Sequence, residues 1–165
     1  MKKLLISLLS IALLFTMAAC GNNDAEDGLV SGSADTFGGN ALIELRLALK
    51  ESTEPMDVVT KVTEAKMFSE MSLMAVELDP EFAPGLDMST ITGYDKAAMV
   101  SPMIGVIPFV SYVFTVSEGT DANTFAEQLK SVSNPNWNIC TSADETLTYV
   151  EGNTVIFLMS PASMD

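Results

Sequence analysis

The sequence predicts an α+β fold: a small antiparallel sheet with a strand-helix-hairpin unit in its C-terminal half, covered by helices and preceded by a signal peptide and a flexible tether. Three observations point there. "TLTYV" and "TVIFLMS" flank "EGN", and Gly152-Asn153 is a two-residue loop of the kind that joins antiparallel strands. Glycine supplies the positive φ that a type II′ turn needs at its first position. Residues 109–117 alternate, with Val110, Tyr112, Phe114 and Val116 on one side and Ser111, Thr115 and Ser117 on the other, so they predict a strand in the centre of the sheet. Between these lies an amphipathic helix, in which Thr120 or Asp121 caps a run placing Ala122, Phe125, Ala126, Leu129 and Val132 on one face. Asn134-Pro135 stops it. Helices covering one face of such a sheet would bury the Val, Ile and Phe side chains.

In chain order, the first segment is a leader. Lys2 and Lys3 form a positive n-region ahead of an apolar run over 4–19, shorter than the roughly 20 residues a membrane-spanning helix needs. Ala18 and Ala19 are the small residues that precede a signal-peptidase cut, so residues 1–19 are expected to be removed. The stretch Met17-Ala18-Ala19-Cys20 resembles a bacterial lipobox, departing from it at Met17, where leucine is usual. That resemblance implies a diacylglycerol thioether on Cys20 and cleavage between Ala19 and Cys20. Cys20 then becomes the lipidated first residue of a protein held on the extracytoplasmic side of the cell membrane. One acyl chain binds reversibly, whereas two or more hold firmly, each buried methylene contributing about 0.8 kcal/mol.

Removing the leader takes two of eight basic residues, leaving six against 22 acidic ones. Nucleic acid is excluded as a partner, because affinity for phosphates comes from Lys and Arg. An anionic bilayer surface repels such a chain, so the N-terminal lipid must supply the membrane contact. Residues 20–40 are rich in Gly, Asn, Asp and Ser, a composition that buries too little surface to fold, and are expected to be the flexible acidic linker. Asp24, Glu26, Asp27 and Gly28 lack the alternating oxygen ligands and distant glutamate of a calcium loop. Residues 41–165 remain as a single α+β domain.

Within that domain, residues 41–51 are ambiguous. Ile43, Leu45, Leu47 and Leu49 alternate like a strand, while the composition favours a helix that Asn40 could cap; helix is the reading adopted. A second helix starts near residues 53–55, with Pro55 in its first turn and Val58, Val59, Val62 and Ala65 on one face. A connection bearing Pro80, Pro84 and Gly85 follows, with a short strand at 72–78. Met67, Met71 and Met74 recur at helical spacing, but without histidine a methionine stripe reads as core rather than a copper site. Glu77, Asp79 and Glu81 read as a solvated turn. Residues 97–117 carry no charge and are long enough to span a bilayer. Pro102, Gly105 and Pro108 would break a spanning helix, and a span would leave Lys130 as the only positive charge beyond it, against the positive-inside tendency.

"ITGYDKA" (91–97), "VSYVFTVSEGTDANTFAEQLKS" (110–131) and "VEGNTVIFLMS" (150–160) together resemble the C-terminal domain of short lipoproteins of Gram-positive anaerobes, a family of unknown function. The resemblance covers about residues 90–160 and implies a Tyr-containing turn, a strand bearing an acidic residue, a helix and a closing strand after Gly-Asn. It implies no catalytic residue. In this chain the acid follows the strand, at Glu118, and Ser111 stands where the pattern would place one.

The chain contains no histidine, which removes Ser-His-Asp and Cys-His catalysis and the commonest zinc ligand. No Ser-x-x-Lys and no glycine-rich phosphate loop occurs, and Arg46 is the single arginine. No catalytic residue, cofactor or metal is therefore expected. With Cys20 acylated, Cys140 has no disulfide partner and reads as a small, partly buried hydrophobe. Tyr94 and Trp137 are the aromatic residues best placed to contact a ligand. The expected role is a non-enzymatic binding or envelope-accessory module for an envelope protein, peptide or small ligand. The alternative is a carboxylate-dependent hydrolase of cell-wall glycan, which needs only a suitably spaced pair of acids.

Overall fold

The computed structural model describes residues 35–164. The leader, Ala19, Cys20 and the acidic tract 24–28 lie outside the described residues. The first helix, α1 (Phe37–Leu49), is capped by Thr36, whose Oγ1 accepts a 3.0 Å hydrogen bond from the Gly39 N–H. Asn40, the expected cap, sits in the first turn and donates through Nδ2 to the Thr36 carbonyl. Residues 37–40 thus belong to the domain and not to the linker, which composition alone extends to residue 40. Tertiary contact is the reason: the Phe37 ring packs on Phe68 and Phe109, offsetting the weak helix propensity of Gly38 and Gly39. Ala41, Leu42, Leu45, Ala48 and Leu49 are buried while Ile43 and Leu47 are exposed. That stripe has helical period, which resolves the ambiguity of residues 41–51.

Helix α2 (Pro55–Thr63) begins at its proline and buries Val58, Val59 and Val62. Ala65 lies just past its end, packed against the same core. Strand β1 (Leu73–Glu77) follows. Met67 and Met71 pack under the α1–α2 layer, whereas Met74 belongs to the opposite face of the sheet, so the three methionines form no common stripe.

The uncharged run does not form a span. Strand β2 (Tyr94–Pro102) ends in it, a loop occupies 103–109, and β3 (Val110–Val116) completes a hairpin. Among the described residues no helix is long and apolar enough to cross a membrane. β2 is not evident from sequence, because its polar start and its Ala-Ala pair mask any alternation. Tyr94 consequently opens a strand, and the turn precedes it at Gly93, where φ is 91°.

Helix α3 (Ala122–Ser131) is capped by Asp121, which accepts from both the N–H and the hydroxyl of Thr124 at 2.7 Å, and it buries Phe125, Ala126 and Leu129. Strands β4 (Glu145–Glu151) and β5 (Thr154–Ser160) form the expected hairpin, with Gly152 at φ 59°.

The sheet is antiparallel throughout, in the order β1-β2-β3-β5-β4, with β3 central as expected. Its two faces carry separate cores. Ala98, Val100, Val113, Ile156 and Leu158 meet α1 and α2. Met99, Tyr112, Phe114, Val155 and Phe157 meet α3 and the connections around 78–91 and 132–143. Helices therefore cover both faces rather than the one expected, which is why all seven residues of β5 are buried and why its sequence shows an unbroken apolar run.

Register divides the molecule into two poles. At one, Leu73 pairs Pro102, Val110 pairs Met159 and Glu145 pairs Ser160. The described chain enters at this pole, where the Phe37 N–H donates to the Ala162 carbonyl at 2.9 Å. At the other, Glu77 pairs Ala98, Tyr94 pairs Val116 and Glu151 pairs Thr154.

Candidate functional site

Tyr94 lies at the pole opposite the chain entry, on the rim of a cleft of about 380 Å³ between the start of α2 and the β1–β2 edge. Its placement depends on a bulge. Residues two apart on a strand normally share a face, but the register slips between Tyr94 and Lys96. The slip turns Tyr94 toward the α3 face, against Phe114 at 5.3 Å and Phe125 at 6.1 Å, while Lys96 reaches the α2 side. There its Nζ donates to both carboxylate oxygens of Glu54, at 2.9 and 2.7 Å. The hydrogen bonds and charge of Glu54 hold the Lys96 pKa above its ordinary value.

Pro55 begins α2, so Glu54 falls at its N-cap beside the cleft. Asp95, the extra residue of the bulge, accepts from the Ser117 hydroxyl. Glu77, at the end of β1, completes the acidic wall. Three carboxylates against one ammonium leave the cleft net negative, a setting that suits a ligand carrying an amine or guanidinium. Bulges are frequent beside binding sites because they re-aim side chains in this way.

Trp137 occupies the other pole. It is half-buried beside Gly85 and lines an apolar groove of about 340 Å³ with Met74, Phe82, Met103, Ile107 and Ile139. The side-chain amide of Asn138 donates to the Gly105 carbonyl at 2.7 Å, tying the loop after α3 to the loop between β2 and β3. The two aromatic residues anticipated as contacts are thus not brought together.

Cys140 is exposed, contrary to the partly buried state expected. Ile139, Thr141 and Ser142 beside it are exposed as well, so this tip of the 132–143 connection projects away from the core that Trp137 and Ala143 join. Glu118 is exposed in the turn after β3 and is not among the residues lining the cleft. Ser111 is fully buried and its hydroxyl donates to the Phe157 carbonyl; an acid there would be a buried charge without a cation. Asp79 accepts from the Glu81 N–H at 2.9 Å, in keeping with a turn. Among the described residues no group of three or more Cys, Asp or Glu side chains could hold a metal ion.

Sequence reasoning missed the Lys96–Glu54 pair. Its members are 42 positions apart, and no local pattern connects them. No protein-family model, curated protein or solved structure matches this chain.

Proposed function

We propose that this protein is a lipid-anchored extracytoplasmic module, non-enzymatic, that uses the Tyr94 cleft to bind a cationic envelope ligand such as an amine-bearing peptide. One observation carries the reading: the acidic cleft lies at the pole opposite the point where the chain enters from residues 20–36. A domain held by lipid on Cys20 would present that cleft away from the bilayer. The excess of acids over bases opposes binding to nucleic acid and agrees with a cationic ligand.

Calorimetric titration of the processed protein with tri-lysine and with its fully N-acetylated form tests the cleft. Binding of the first only, weakened by salt and by Glu77→Gln with Asp95→Asn, is expected. Equal affinity for the acetylated form, or none for either, would refute it. Intact-mass analysis of membrane-extracted protein tests the anchor, which requires a diacylglycerol on Cys20 and loss of residues 1–19.

The alternative of a glycan hydrolase draws on the same three carboxylates. A hydrolase places its acid in a pocket shielded from water, yet Glu54, Glu77 and Asp95 are all exposed to solvent, and both carboxylate oxygens of Glu54 are engaged by Lys96. Turnover of peptidoglycan fragments that is lost in Glu77→Gln would favour the hydrolase over the binding module.

A further inference from the structure

The pole where the chain enters is apolar as well as tether-proximal. Met103, Ile104, Val106 and Ile139 are 67%, 69%, 66% and 99% exposed. All four lie on the two loops joined by the Asn138–Gly105 hydrogen bond. Exposed Phe82 lines the groove beside them, and exposed Met164 follows the Ala162 carbonyl that binds the Phe37 N–H. Neither residues 97–117 nor residues 131–143 contain a single charge, in a chain whose net charge is −14. Scattered exposed aliphatic residues are ordinary, but a cluster of them on uncharged loops marks an interaction surface.

We propose that this pole is a second membrane contact, in which Met103, Ile104, Val106 and Ile139 enter the interfacial region of the bilayer. The inference rests on the lipid anchor at Cys20. Sixteen residues separate Cys20 from Phe37, a length that reaches at most about 55 Å when fully extended. The pole that carries the attachment point is therefore held at high local concentration beside the membrane. The two loops carry no charge, so an anionic leaflet exerts no direct repulsion on them, whereas it repels Asp144 and Glu145 at the β4 edge of the same pole as it does the carboxylates at the cleft end. A lipid surface is the occupant assigned, because an anchor at Cys20 would place the bilayer beside the pole where the chain enters.

Trp137 is the only tryptophan and lines the groove between Met103 and Ile139, so it reports on this pole alone. The lipidated full-length mature protein would be reconstituted into phosphatidylcholine–phosphatidylglycerol vesicles with acyl chains brominated near the headgroup. Flotation reads the anchor and Trp137 quenching reads the pole. Quenching at least twofold above that in unbrominated vesicles is expected. It should be abolished by Ile104→Asp with Val106→Asp, while those variants still float. Leu47→Asp, which removes an exposed apolar residue from α1, should leave quenching unchanged. Protein that floats with Trp137 unquenched overturns the inference and leaves the anchor standing. Protein that fails to float removes the anchor and the second contact with it.

Discussion

The Phe37 ring stands edge-on to Phe109, with centroids 5.5 Å apart and planes at 85°. One residue opens α1 and the other immediately precedes the central strand, so this contact fastens the point of chain entry to the base of the sheet. Phe68 closes the cluster at 5.9 Å from Phe37 and 5.4 Å from Phe109. Truncation by Phe37→Ala should cost about 2–3 kcal/mol, at or below the range for wholly buried phenylalanines because part of the ring is exposed. Urea denaturation checks this. A loss under about 0.5 kcal/mol, the level of an ordinary surface substitution, would mean residues 37–40 are not integral to the domain.

Gly38 sits against the β4–β5 hairpin. A Cβ there would lie 2.2 Å from the Ser160 Oγ and 2.6 Å from the Glu145 Oε2. Glycine to alanine inside a helix normally stabilises by about 0.5–1 kcal/mol; here the sign should reverse, with a loss of about 1–3 kcal/mol from overpacking. The Ser160 hydroxyl is buried without a hydrogen-bond partner among the described residues, so Ser160→Ala alone should be nearly neutral. In the Gly38→Ala background the same change should restore part of the loss. Additive effects of the two changes in thermal unfolding would refute the contact.

Tyr112 links the central strand to the long connection before β2, donating 2.7 Å from its hydroxyl to the Pro84 carbonyl. Burial pushes its phenol pKa well up, so it stays a neutral donor. Tyr112→Phe should cost about 1 kcal/mol and speed amide exchange at Leu86, whose N–H bonds to the Ala83 carbonyl in the same connection. Unchanged exchange there would show that Tyr112 does not hold the segment.

Acid should loosen α3. Hydrogen bonds from the hydroxyl and N–H of Thr124 hold the Asp121 carboxyl pKa below its ordinary value. The folded state therefore favours the carboxylate. That contribution is complete above the unfolded value of about 4 and disappears as pH falls through the lowered folded value. The gap in urea midpoint between the protein and Asp121→Ala should accordingly close between neutral and strongly acidic pH. A gap independent of pH would contradict the cap.

Because Cys140 is exposed, it should react with a disulfide reagent in the native protein as fast as in urea. Processed, acylated protein should then titrate as one thiol. Two thiols would show that Cys20 is unmodified, and a slow native reaction would show that Cys140 is covered.

How much of this was legible beforehand differs by element. The hairpin at Gly152, the α3 face built on Phe125 and Leu129, and the alternation of β3 are local signals, each complete within about ten residues. The start of α1 was not legible. Two glycines disfavour helix there, and the preference is reversed by the Thr36 cap together with the distant Phe68, Phe109 and Ala162. β2 was hidden for a similar reason, since its ladder partners rather than its own residues define it. Of the two anticipated contact residues, Tyr94 borders the cleft and Trp137 lies at the other pole, a division that no one-dimensional pattern encodes.

The sequence by itself determined the class of fold, the strand-helix-hairpin unit and the acidic surface, because periodicity, turn chemistry and charge are properties of neighbouring residues. Only the tertiary structure decided that helices cover both faces, that Lys96 meets Glu54 across 42 positions, and that the apolar loops share a pole with the incoming chain. Those relationships arise from strand register and from packing between distant segments. Their free energy exists only once the chain has closed on itself.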